Sequence, residues 1–140
     1  MNGTDGTLNA QRTLEIHDRL SKFFAQERYK NVVTLYGLLN EPKMIKLPVQ
    51  AVHQWNEQAI SRVRANGITA KIVVGDGFLG LPNWKGQLSA EAAKGGVILD
   101  AHQYLIFNTD QLNFPHQKKL EFVCSAWAGQ MASSVDSSTG

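Results

Sequence analysis

Three short apolar runs, separated by stretches with a helical repeat, set the pattern of this chain. The first runs through Val32, Val33, Thr34, Leu35, Tyr36 and Leu38 and stops at Asn40-Glu41-Pro42. A continuous run of β-branched and aromatic residues predicts a strand buried on both faces, the habit of parallel sheets. Ile68–Val74 and Val97–His102 are two more such runs. Between them the apolar spacing changes to three and four. Ile16, Leu20, Phe23 and Phe24 predict a helix over about 10–29, with Asn9 as its N-cap. Val52, Trp55, Ala59 and Val63 predict a second over about 49–65, opened by Pro48 in its first turn and stopped at Asn66-Gly67. A weaker helix is expected over 88–94, and a last one within 116–130 with Leu120, Val123 and Trp127 inward. The long glycine-bearing stretch 75–87 and both chain ends read as loops.

Helices alternating with buried strands, without a hairpin signal, predict an α/β fold with right-handed crossovers and a parallel sheet, either open or rolled into a barrel. No repeat or low-complexity linker divides residues 1–140, so one domain is expected. Three strands leave two unpaired edges, and the reading is of an excerpt from the middle of a larger fold.

Composition narrows the partners. Fourteen Lys and Arg stand against twelve Asp and Glu with no basic run, which gives nucleic acid and anionic membrane no support. No apolar stretch is long enough to span a bilayer, and no signal-like core follows Met1. Cys124 has no partner for an internal disulfide, and the four histidines lack metal-ligand spacing, so neither metal nor cofactor is expected. Asn2-Gly3-Thr4 is a glycosylation sequon of low specificity.

Candidate chemistry gathers where the runs end. Glu41 places a carboxylate at the C-terminal tip of the first strand, where α/β folds hold their sites. Pro42 is expected to keep Glu41 extended, and Asn40 offers an amide to a hydroxyl. His102 and Tyr104, two apart after the third strand, share a face and point to a substrate or a second carboxylate, while Asp100 reads as inward or structural. Phe78, Trp84 and Phe107 lie in loops beyond strand ends, suited either to stacking on sugar faces or to anchoring the loops in the core. Gly75-Asp76-Gly77-Phe78-Leu79-Gly80 also matches the G-x-G-x-x-G outline of a nucleotide site. Against that reading, Pro82 and Gly86 sit where the phosphate-binding helix would begin.

The runs YGLLNEP, GDGFLGLPNW and LDAHQYLIF together resemble glycoside hydrolase family 5, and within it the fungal glucan 1,3-beta-glucosidases. The resemblance implies a (β/α)8 barrel of which this chain is a central part, about the third helix through the sixth. It implies that Glu41 is the general acid/base of a retaining reaction, with its pKa raised by a proton-sharing environment. Asn40 would contact the hydroxyl next to the reacting carbon. His102 and Tyr104 would line the glucose subsite, with Tyr104 bonded to the nucleophile, and Phe78, Trp84 and Phe107 would shape the entrance. The partner implied is a β-glucan at the cell surface or outside the cell, with any membrane anchor beyond these residues. The family's nucleophile, a glutamate in G-E-W/F, has no counterpart among Glu15, Glu27, Glu41, Glu57, Glu91 and Glu121. The chain alone is therefore expected to be inactive. A non-catalytic glucan-binding remnant is the alternative.

Overall fold

A computed structural model describes residues 6–134. Helix α1 is described over Gly6–Phe24, before a 3-10 turn at Glu27–Tyr29. Asn9 is thus inside α1 rather than its cap, and its carbonyl accepts from Thr13 Oγ1 at 2.7 Å. Strand β1 is Leu35–Gly37, α2 is Val49–Ala65 and β2 is Lys71–Gly75. A one-turn α3, Ala90–Ala93, is capped by Ser89, whose side chain accepts from Ala92 N. Strand β3, Val97–Asp100, leads to a 3-10 turn at Leu105–Phe107 and then to α4, Thr109–Leu112. Neither turn nor α4 was expected from the spacing, although Asn108 caps α4 by accepting from Asp110 N and Gln111 N. The last helix is α5, His116–Phe122, continued through a π segment, Val123–Trp127, into α6, Ala128–Ser134. The sequon lies outside the described residues.

The sheet is parallel, in the order β1-β2-β3. Tyr36 pairs with Ile72 and Ile72 with Val97, so residues two apart line one face. That face (Tyr36, Leu38, Ile72 and Val74) is buried against the stripe Val52, Trp55, Ala59, Ile60 and Val63 of α2. The other face is open. Leu35 is 56% exposed and Ile98 38%, which corrects the expectation of strands buried on both sides. The alternation of a half-covered sheet, not the continuous apolar run, sets burial here.

Helix α1 corrects a second expectation. Leu14, His17 and Ser21 are buried, whereas Ile16, Leu20 and Phe23 are more than 40% exposed, and of the expected stripe Phe24 alone packs against the core. Polar bonds select the inward face. Ser21 Oγ accepts from Asn66 Nδ2 at 2.9 Å, Arg62 pairs with Asp18 at 2.9 Å, and Trp55 Nε1 donates to Ala10 O at 3.0 Å. Leu120 and Val123 are likewise exposed rather than inward.

At the N-terminal ends of the strands, Arg64 closes the base. Its guanidinium donates to the carbonyls of Ile68, Ala70, Gly95 and Gly96 at 2.6–3.1 Å, tying the turns that enter β2 and β3. Gly67, at φ 96°, ends α2 as the predicted stop. With one rim clamped in this way, the opposite rim is left to carry the polar chemistry.

Candidate active site

All three strand tips meet at the C-terminal rim. The first is held from below by His17, which belongs to no motif in the sequence. His17 Nε2 donates to Leu38 O at 3.1 Å, with Tyr36 Oη 3.1 Å from Nδ1. Burial lowers the His17 pKa, so the ring stands neutral and can donate from one nitrogen while accepting at the other. Burial also pushes the Tyr36 hydroxyl up to about 12.

The second tip seats the first. Leu38 N donates to Val73 O at 3.1 Å and Met44 N to Gly77 O at 3.2 Å. Gly77 has φ 66°, and a Cβ there would run into the Met44 side chain. A Cβ at Gly75 would come within 3.3 Å of Leu39 O, so the glycines of this loop admit the Glu41 turn. Its other polar groups are used internally. Asp76, 4% exposed, accepts from Phe78 N and Gly80 N, both at 3.1 Å. A carboxylate of the loop itself thus takes the amides that a pyrophosphate would need, and a 3-10 turn, Leu81–Trp84, follows in place of a helix. Both features tell against the nucleotide reading.

The third tip completes the cluster. Asp100, His102 and Tyr104 alternate along an extended segment. His102 Nδ1 lies 2.7 Å from Glu41 Oε1, and Tyr104 Oη donates to the same oxygen at 3.0 Å. On the far side of the ring, Nε2 lies 3.0 Å from Asp100 Oδ2. Glu41 is about one-third exposed and reachable from solvent. Its φ is 45°, which corrects the expected extended backbone. Pro42 disfavours the right-handed helical region and favours an extended chain, yet Glu41 takes the left-handed side, at a cost of about 1–3 kcal/mol for a non-glycine residue. Strain of this kind persists only where surrounding contacts impose it.

Among the described residues, bonds from His102 and then Tyr104 lower the Glu41 pKa; the raised value expected belongs to a site in which a second carboxylate shares its proton, and none is bonded to Glu41 here. Glu41 and Asp100 in turn raise the His102 pKa. The nearest partner of Glu41 is a base that becomes cationic, not a second carboxylate, so the ionised form is favoured.

The structure brings Glu41, Asn40, His102 and Phe78 to one recess of about 20 Å³, room for a single water or hydroxyl. Tyr104 and Phe107 stand beside it with ring centroids 5.7 Å apart, and Phe107 is 79% exposed. Trp84 is the exception. It is 3% exposed, packs tilted against His53 with ring centroids 4.6 Å apart and donates Nε1 to Asp76 O at 2.9 Å, so it anchors the loop instead of shaping an entrance. Among the described residues no group of His, Cys, Asp or Glu could hold a metal, and no helix is long and apolar enough to cross a membrane. Cys124 is exposed. Asp100 was discounted from sequence. Its signal was the alternate spacing with His102 and Tyr104.

Known proteins are similar to this chain over most or all of its length. A protein named "Probable glucan 1,3-beta-glucosidase D" from Aspergillus terreus is 52% identical over 127 residues, covering 91% of this chain and 15% of the relative. Its namesake from Aspergillus niger is 48% identical over all 140 residues, 17% of that protein's length. "Glucan 1,3-beta-glucosidase D" from Emericella nidulans is 47% identical over the same span, again 17% of its length. The chain thus spans about a sixth of the length of the curated relatives it matches. The description "Cellulase (glycosyl hydrolase family 5)" matches residues 4–138. With a parallel α/β sheet carrying a His- and Tyr-bonded glutamate on its C-terminal rim, the chain belongs to glycosyl hydrolase family 5, a family of TIM-barrel enzymes.

Proposed function

We propose that this chain carries the acid/base of a retaining glycosidase acting on β-glucan, with 1,3-linked glucan as substrate, as in the names of its relatives. One observation carries the reading: Glu41, on a strained turn at a strand tip, is bonded by both His102 and Tyr104. In the first half-reaction the protonated Glu41 gives its proton to the departing glycosidic oxygen while a second carboxylate attacks the anomeric carbon. In the second, ionised Glu41 takes a proton from the water that releases the sugar. The lowered Glu41 pKa suits the second state, and the first requires a proton to be brought to it.

The nucleophile lies outside these 140 residues on this reading. Asn40 faces the hydroxyl beside the reacting carbon, and Phe78, Tyr104 and Phe107 offer ring faces to the glucan chain. The enzyme would meet a wall polysaccharide at the cell surface or beyond it.

Exchanging the aligned segment of the Aspergillus niger relative for this chain tests the proposal. The exchanged enzyme is expected to release glucose from 1,3-β-glucan, and the isolated chain to release none. A folded exchange product without activity, or turnover by the isolated chain, would contradict it.

A further inference from the structure

The contact that this reaction does not use is the one behind the His102 ring. Nδ1 faces Glu41 Oε1 at 2.7 Å and Nε2 faces Asp100 Oδ2 at 3.0 Å. A neutral imidazole has one N–H and one lone pair, so it cannot donate to both carboxylates. The partner of one nitrogen fixes what the other offers. We propose that Asp100 is a positioning residue that keeps the proton on Nε2 of His102, so that Nδ1 and Glu41 Oε1 share one mobile proton. The inference rests on the reading of Glu41 as acid/base.

The arrangement has two protonation states. In one, His102 is an imidazolium donating to two carboxylates. In the other, the Nδ1 proton has crossed to Oε1, leaving a neutral Nε2–H ring and a carboxylic acid at Glu41. Only that proton changes place, and the total charge of the three groups is constant. The second state is the acid form that protonation of a leaving oxygen requires. Its proton comes from the ring instead of bulk water, which accounts for how a carboxylate favoured in its ionised form can still act as an acid.

The remaining polar and charged groups on this rim are compatible with the assignment. Tyr104 donates to Oε1, which accepts in either state. The Asp76 carboxylate is engaged by its own loop. The Lys43 charge favours ionised Glu41 but makes no hydrogen bond to the ring among the described residues. Asp100, His102 and Tyr104 are spaced two apart, so one extended segment delivers all three to the same side.

Two-bond ¹H–¹⁵N spectra of the labelled 140-residue chain, recorded without sugar, read the ring's tautomer and protonation directly. The neutral His102 ring is expected as Nε2–H. It should remain so in Glu41→Gln, whereas Asp100→Asn should shift it toward Nδ1–H and lower its titration midpoint. An Nδ1–H ring in the unaltered chain overturns the proposal. So does an unchanged tautomer and midpoint in Asp100→Asn, or a Glu41→Gln ring that loses Nε2–H as fully as the Asp100 variant does. If Asp100→Asn fails to fold, the other two spectra still decide. No sugar is present, so these outcomes are independent of the segment exchange. An inactive exchange product beside an Nε2–H ring would remove the glycosidase reading and leave the tautomer assignment standing.

Discussion

Glu41 combines a left-handed backbone, φ 45°, with a side chain held by hydrogen bonds to His102 and Tyr104. Without the bonds to His102 and Tyr104, little would hold a non-glycine residue in that region. The same bonds set its titration. The folded Glu41 pKa lies below 4.5, so its contribution to stability is present above 4.5 and fades as pH falls through the folded value. The folded His102 pKa lies above 6.5, so its contribution is present below 6.5 and fades as pH rises through the folded value. The pair is therefore fully formed between 4.5 and 6.5 and weakens on either flank. His102→Ala removes the largest cause of the Glu41 shift, and a ¹³C carboxyl titration is expected to show the Glu41 midpoint rising toward 4.5. An unmoved midpoint would show that the bond does not govern this carboxylate.

At the scale of elements, the rim works because loops fit against one another. Gly77→Ala forces a Cβ into Met44 at a positive φ, and should destabilise the chain by about 1–3 kcal/mol in urea unfolding. The same substitution should broaden or shift the Glu41 and His102 signals, since Met44 N bonds Gly77 O directly after the N-E-P turn. A neutral effect would mean that this loop does not position Glu41. The three strands, α2 and its Gly67 stop were legible because apolar spacing and turn chemistry agree there. Helix α1 was misread because the sequence offers two faces. The more apolar one, Ile16-Leu20-Phe23, lost to the face on which His17, Asp18 and Ser21 find hydrogen-bonding partners. Trp84 shows the limit of reading aromatics from loop position. Its Nε1–H found a carbonyl inside the fold, and the ring followed it there. Glu41, His102 and Tyr104 could be placed together because parallel strands send their C-terminal ends to one rim. Asp100 could not be assigned, because its part depends on which ring nitrogen it meets.

Across the whole molecule, one side of the sheet is a packed core and the other is open, with Leu35 and Ile98 exposed, as is the Ile16-Leu20-Phe23 stripe of α1. The packed side carries two buried histidines whose pKa values burial lowers, His17 and His53. Neither His53 nitrogen meets a partner at hydrogen-bonding geometry among the described residues. The nearby Gln87 amide favours the charged form, but burial outweighs it. Both groups fold as neutral rings, so their contribution is complete above 6.5 and declines as pH falls through the folded values. In a His102→Ala background, which removes the opposing gain of the Glu41–His102 pair, urea midpoints should therefore drop from pH 7 toward pH 5, and a flat profile would contradict neutral packing of these rings. The central claim is that Glu41 is the proton donor, and its most direct test is Glu41→Ala in the segment-exchanged Aspergillus niger relative. Hydrolysis of 1,3-β-glucan is expected to fall by about 10²–10⁴-fold. Aryl glucosides, whose leaving groups need little protonation, should lose far less in the glycosyl-transfer step, and azide should restore turnover by replacing the water that Glu41 would have activated. Equal losses on both substrates with no response to azide, or undiminished glucan hydrolysis, would contradict the account.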